Sequence, residues 1–331
     1  MRDKIAGALY GMALGDAMGM PAELWGRKRV KAFFGRIEEF LDGPAENGAA
    51  FNYKKGQFTD DTGQALVLLD SIESTDYEPD TRDIALRMLA WAEKENAFEN
   101  NILGPTSKVA LANFRDNIQD SRITDKALSN GSAMRIAPIG CLFRPEQKED
   151  IARYVYLGSR ATHTSDVTIA GAAMIAEAVS SAIVKDDFEK VMEDVFGIEE
   201  IGYGMGCETF SPRLGERLRI GLDIAGSYKG DDEGFIHKLY DVVGTGVGII
   251  ESVPAALSVA YYAKDPNLSC LLCANMAGDT DTIGAMATAV CGAFTGMGRI
   301  KPEYIRTLRQ QNDADFDHYI RILEKGRERF A

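Results

Sequence analysis

Strand-type sequence is almost absent from this 331-residue chain: few runs alternate β-branched with polar residues. That argues against sandwiches and barrels and leaves a helical protein. Positive charge is scarce too, with 37 Lys and Arg against 50 Asp and Glu and a net charge of −13. Gripping a nucleic-acid backbone takes clustered cations, so no nucleic-acid partner is expected. A small phosphorylated ligand stays open, because a bound metal cation inverts the local field. The five cysteines, an odd count, do not form a disulfide framework. Cys270 and Cys273 flank two leucines, and no second pair completes a zinc site, so buried thiols on a helix and a reducing cytoplasm are expected.

No apolar run is built to cross a membrane. Ile5 to Leu14 follows Arg2 and Lys4 like a short signal peptide, but Asp3 and Asp16 interrupt that pattern and the run is too short to span. The long uncharged stretch from Thr282 to Gly298 carries four glycines and three threonines and reads as a buried helix. Neither a targeting segment nor a membrane partner is expected. There is no solenoid-length repeat and no interdomain linker, so residues 1–331 read as one compact helical domain.

What is present is helical periodicity over an apolar content of 45%, ample for a large core. Ile283, Met286, Ala287, Val290, Cys291 and Phe294 recur at three- and four-residue steps, which predicts one apolar helix face. Ile169 to Ile183 is Ala-rich and should be central. Leu66, Leu69 and Ile72 mark another helix, and Ile84, Leu86, Met88, Leu89 and Trp91 a further one opened by Pro79, Asp80 and Thr81. Glycines at 7, 11, 15 and 19 make a smooth stripe for close helix packing. Loops are expected at Gly43–Gly48, Asn100–Pro105, Gly197–Gly206 and Gly230–Gly234.

Two acidic clusters, Thr59-Asp60-Asp61-Thr62 and Asp279-Thr280-Asp281-Thr282, each stand directly before a long apolar helical segment. Thr and Asp are ordinary helix caps, which is one reading of both. A cap needs one side chain, however, and adjacent aspartates repel. Oxygen-only donors suit Mg²⁺ or Mn²⁺, and four gathered carboxylates call for roughly two ions and a two-metal hydrolytic centre.

Five blocks in order, GALYGMALGDAMGMPAE, FTDDTGQAL, NGSAMRIAPIG, ATHTSD and AGDTDTIGAMATAVCGA, resemble the ADP-ribosylglycohydrolase family over essentially the full length. The resemblance implies an all-α orthogonal helical bundle with two Mg²⁺ or Mn²⁺ ions in a cleft. It assigns metal ligation to Thr59, Asp60, Asp61, Asp279, Asp281 and Thr282, leaving Thr62 and Thr280 as supporting residues. Glu23 takes the family's acidic position near the metals, as ligand or general base, with Asp60 and Asp281 also catalytic. Asn130, Gly131, Ser132 and Met134 fall in the substrate loop, Gly131 allowing close backbone approach and the next helix offering N–H groups. His163 matches a Thr-His pair that contacts the distal ribose region, and Gly104 falls in the diphosphate loop; His237 and His318 are read as surface residues. The implied activity is hydrolysis at C1′ of a ribosyl group, on an ADP-ribosylated substrate or conjugate.

The chain departs from the family at two places. Leu103-Gly104-Pro105-Thr106-Ser107 has one glycine and a proline that removes an N–H donor, and Leu128-Ser129 stand where an adenine-stacking aromatic is expected. Both concern the ADP half, so a simpler N-riboside or nucleoside is the alternative substrate. A non-catalytic ligand-binding member is a third reading.

Overall fold

The computed structural model describes residues 1–100 and 102–331; Asn101, in the expected Asn100–Pro105 loop, lies outside the described residues. The chain opens with α1 (Arg2–Gly19), α2 (Arg27–Phe34), α3 (Asp60–Ser74), α4 (Thr81–Lys94), α5 (Pro105–Arg115) and α6 (Arg122–Asp125). There follow α7 (Ala137–Leu142), α8 (Lys148–Ser159), α9 (Asp166–Val184), α10 (Phe188–Tyr203), α11 (Leu214–Ser227) and α12 (Asp232–Val242). The last five are α13 (Ile249–Ala263), α14 (Pro266–Met276), α15 (Thr280–Thr295), α16 (Pro302–Gln311) and α17 (Phe316–Arg329). No strand forms among the described residues, only isolated bridges such as Trp25 with Gly278 and Ser129 with Gly248. The all-α expectation holds.

Local chemistry accounts for the starts. Asp80 caps α4 by accepting from Arg82 N at 2.7 Å, as the Pro-Asp-Thr signal predicts. Ser165 caps α9, and every residue from Val167 to Ile183 is buried. By length and composition α9 is apolar enough to cross a membrane; here it is the central rod against which α7, α8, α10, α13 and α15 pack.

The glycine stripe aligns α1 with α15. A methyl at Gly7, Gly11, Gly15 or Gly19 would overlap the backbone carbonyl of Gly292, Thr288, Gly284 or Thr280 respectively. The two helices therefore run antiparallel in backbone contact, and the end of α1 lies beside the start of α15. This contact also revises the one-faced reading of α15. Residues Thr280 to Ala293 are buried all round, because α1 covers the small-residue side while the predicted apolar side faces the core.

The loop expected at Gly197–Gly206 is mostly helix. Glycines 197 and 202 lie inside α10, where Gly202 lets α10 press onto α9; a Cβ there would stand 2.6 Å from Ala170 Cα. Tight helix contact, not a turn, explains that glycine. The CxxC cysteines are buried on α14, as expected.

Candidate metal and ligand site

The packing of α1 on α15 decides where chemistry can occur. Thr280 Oγ1 donates to Gly19 O at 2.7 Å, fixing the end of α1 at the start of α15. The start of α3 is brought to the same place by Asp16, a fully buried acid of α1. Its Oδ1 accepts from Thr59 N at 2.8 Å and Thr59 Oγ1 at 2.9 Å; its Oδ2 accepts from Thr62 N at 3.0 Å and Thr62 Oγ1 at 2.6 Å. Burial still pushes the Asp16 carboxyl up to about 6. Sequence reasoning missed this anchor, although a lone acid inside a glycine-striped apolar helix was its signal.

Glu23 arrives by a different route. A short 3-10 turn over Met20–Ala22 ends α1, and the chain then pairs with the segment before α15. Leu24 N donates to Gly278 O at 2.7 Å and Gly278 N to Trp25 O at 3.0 Å. The Asn47 amide holds Pro21 O at 3.1 Å and Glu23 O at 3.0 Å. Gly278 has φ +85°, and a side chain there would also strike Thr245, whose carbonyl accepts from Asp279 N at 2.7 Å. Carboxylate oxygens of Glu23, Asp279 and Asp281 consequently lie within 4.8 Å of one another.

These acids are not caps. Thr59 and Asp279 occupy the N-cap positions of α3 and α15, yet neither side chain makes a capping hydrogen bond. Asp61 Oδ1 and Asp281 Oδ1 are buried without any partner. No Lys or Arg among the described residues forms an ion pair with Asp16, Glu23, Asp60, Asp61, Asp279 or Asp281. Burial, followed by repulsion from neighbouring acids, drives Glu23, Asp61 and Asp281 well above the carboxylate range. Burial raises Asp60 to about 7 and Asp279 to about 6. The same field reaches Tyr53, whose phenol is pushed up by burial and then by Asp60, Asp16, Glu23 and Asp281. Orphaned oxygens on an uncompensated, oxygen-only set fit hard divalent cations. Glu23, Asp279 and Asp281 would hold one from a single group, with Thr59, Asp60, Asp61 and Thr282 completing the expected donor set.

A cleft of about 470 Å³ opens from this centre. Glu23, Asp60, Asp279, Asp281 and Thr282 line it, as do Gly104, Ser107 and Lys108. Asn130 bridges two lining residues: its N donates to Val247 O at 3.0 Å and its Nδ2 to Asp279 Oδ2 at 2.6 Å. Of the expected substrate residues, Gly104, Asn130, Gly131 and Met134 line the cleft. Ser132 and His163 are fully buried behind it, Ser132 Oγ donating to Thr168 O at 3.1 Å. A Cβ on Gly131 would stand 2.7 Å from His163 Cε1, so the glycine makes room for the ring. Ser129, not the ring, reaches the cleft, 3.0 Å from His163 Nε2. The substrate loop after Asn130 is a series of turns, and the helix expected to follow it, α7, begins at Ala137. His237 and His318 are half-buried, beside Glu233 and Glu73.

Behind this wall lies Arg135, fully buried. It donates from Nη1 to Gln64 Oε1 at 2.9 Å and from Nη2 to Thr162 Oγ1 at 2.8 Å. Burial lowers its pKa to about 10, and burial followed by the Arg135 charge lowers His163 to about 3. His163 is therefore neutral at physiological pH.

An all-helical bundle that gathers acids from two helix starts and a turn beside one cleft defines a class of glycohydrolase. The chain belongs to the ADP-ribosylglycohydrolase family, whose model matches residues 1–329. It is 44% identical to the uncharacterized Escherichia coli (strain K12) protein YegU, with 98% of each chain covered. Identity to ADP-ribosylhydrolase ARH3 of Bos taurus is 24%, covering 94% of this chain and 90% of the other. A solved ADP-ribosylglycohydrolase-related protein complex shares the fold, with TM-score 0.72, 22% identity and 98% of each chain covered. Membership supports, at the level of the family, a glycohydrolase of ADP-ribosyl conjugates.

Proposed function

We propose that the protein is a hydrolase using two Mg²⁺ or Mn²⁺ ions to cleave the glycosidic bond at C1′ of an ADP-ribosyl conjugate. The observation that carries this reading is the pair of buried, partnerless oxygens on Asp61 and on Asp281, the latter lining the cleft. When bound, the ions supply the missing positive charge and bring the pKa of water toward neutrality.

The chain's own residues have separate tasks. Glu23 sits in a turn rather than on a helix, and its carboxylate takes the proton of the attacking water. Asp60 and Asp281 oppose the positive charge that develops on the ribosyl ring in an oxocarbenium-like transition state. Asn130 fixes Asp279 through its amide, and Gly131 lets the sugar approach the backbone.

A second reading, an N-riboside or nucleoside as substrate, draws support from the apolar lining of the cleft. Leu24, Ile102, Leu103, Val109 and Val247 are its apolar lining residues. Lys108 is the lining cation among the described residues, and its ammonium already donates to Phe98 O. Turnover of an ADP-ribosylated arginine substrate and of plain ribonucleosides, each with Mg²⁺ and with a chelator, separates the readings. ADP-ribosyl cleavage that stops with chelator supports the first. Cleavage confined to nucleosides establishes the second, and no metal-dependent turnover of either overturns both.

A further inference from the structure

One buried guanidinium behind the cleft reaches toward both of its walls, and its hydrogen bonds fix the direction of those around it. Arginine only donates. Because Arg135 Nη1 gives its proton to Gln64 Oε1, the Gln64 amide must point its NH₂ the other way, and Nε2 donates to Asp60 Oδ2 at 3.0 Å. On the opposite side Arg135 Nη2 donates to Thr162 Oγ1, which also lies 2.8 Å from His163 Nδ1 and 3.4 Å from Ser159 O. The single Thr162 proton belongs in the shorter contact, and the guanidinium charge favours a lone pair over an N–H on the ring atom facing it. His163 then carries its proton on Nε2 and donates to Ser129 Oγ at 3.0 Å. Having accepted from the ring, Ser129 still has its own proton to give. Its only partner among the described residues is Thr106 Oγ1, at a long 3.3 Å, so a ligand oxygen in the cleft can claim it.

We infer that Arg135 is a positioning residue that sets the polarity of both walls: through Gln64 it holds a donor on Asp60, and through Thr162 and His163 it makes Ser129 a donor to a substrate oxygen. The substrate group so recognised is an acceptor oxygen beyond the ribosyl centre, a carbonyl, hydroxyl or phosphate oxygen. Ser129 occupies one of the positions where a stacking ring was expected, so a directed hydroxyl stands there instead. The Ser129 arm rests on the proposed ligand reading of the cleft; the hydrogen-bond directions do not.

The test separates the arms on the full-length protein, since Arg135→Lys removes both at once and threatens the fold. Replacing His237 and His318 with Gln leaves His163 as the only histidine, and ¹⁵N NMR of the labelled ring reads its tautomer without substrate. The expected result is the Nε2–H form, lost to a mixture in Thr162→Val and restored in Thr162→Ser. An Nδ1–H ring, or a Thr162→Val spectrum unchanged from the parent, overturns the proposal. On the other wall, Gln64→Met is expected to weaken Mn²⁺ binding by roughly tenfold, measured by calorimetry, while Thr162→Val leaves it unchanged. Equal Mn²⁺ affinity in Gln64→Met overturns that arm. Ser129→Ala should weaken ADP-ribose binding by roughly three- to tenfold without changing Mn²⁺ affinity; unchanged ADP-ribose affinity overturns the ligand role. If the parent protein binds no ADP-ribose while the tautomer and Mn²⁺ results stand, the substrate reading fails and the polarity assignment survives.

Discussion

Glu177 and Asp281 are both buried acids on apolar helices, α9 and α15, yet their surroundings differ in kind. Glu177 is fully buried and has a built-in counterion: Lys148 Nζ lies 2.6 Å from its Oε1. Asp194 joins at 3.4 Å from the same ammonium and accepts from Ser181 Oγ at 2.7 Å. Around Asp281 there are acids and no paired cation among the described residues; Arg135 reaches Asp60 only through the neutral Gln64 amide. The fold can therefore neutralise a buried carboxylate with lysine, and at the cleft it does not. The charge deficit is local to the cleft, where an outside cation can satisfy it.

Removing the demand at the cleft should have the largest effect. Asp281→Asn is expected to lower turnover of the cleaved riboside by roughly a thousandfold and to abolish the rise in Tm that saturating Mn²⁺ gives the parent. A Tm rise that persists in the variant would show that the acids near α15 do not take the ion. Next comes the built-in pair. Lys148→Met strands Glu177 and should cost about 3 kcal/mol in urea unfolding, with no rescue by Mn²⁺, while Lys148→Met combined with Glu177→Met returns to within about 1 kcal/mol of the parent. A near-neutral single variant would mean that the lysine is not the compensating charge.

The smallest effect is in pH. Burial raises the folded pKa in both places, to about 7 for Glu177 and Asp60 and about 6 for Asp16 and Asp279. The folded state then holds protons that the unfolded chain releases from about pH 4 upward. Metal-free stability is fully present at low pH and is lost as pH rises through those folded values. Mn²⁺ restores it at the cleft alone, so the metal-dependent gain in Tm should grow between about pH 5 and about pH 8. Equal gains at the two pH values would contradict this.

The sequence carried a large part of this arrangement. Helix starts at Thr59-Asp60 and Asp279-Thr280 were legible because a cap-like polar cluster before an apolar period is a local signal. The glycine spacing announced a close helix partner but could not say which helix. The partners of Asp16 and of Glu177 were hidden for the same reason: they lie 43 and 29 residues away, and no local pattern pairs them. His163 was noticed through its motif, but its place behind Ser129 depends on how α8 and the turns after Asn130 stack. Glycines 197 and 202 looked like a loop because the same residue serves turns and tight packing alike.

The antiparallel seam between α1 and α15 has a consequence for how the chain is made. A ribosome delivers α1 first and α15 near the end, so the glycine face of α1 stays uncovered through most of synthesis. Until Asp279 and Asp281 emerge, Asp16, Glu23, Asp60 and Asp61 have no opposite bank, and a nascent chain holds half of the acidic set. Docking of α15 onto α1 is thus also the step that completes the acidic set, so the full complement of carboxylates at the cleft exists only once residues 279 and 281 have been made and packed.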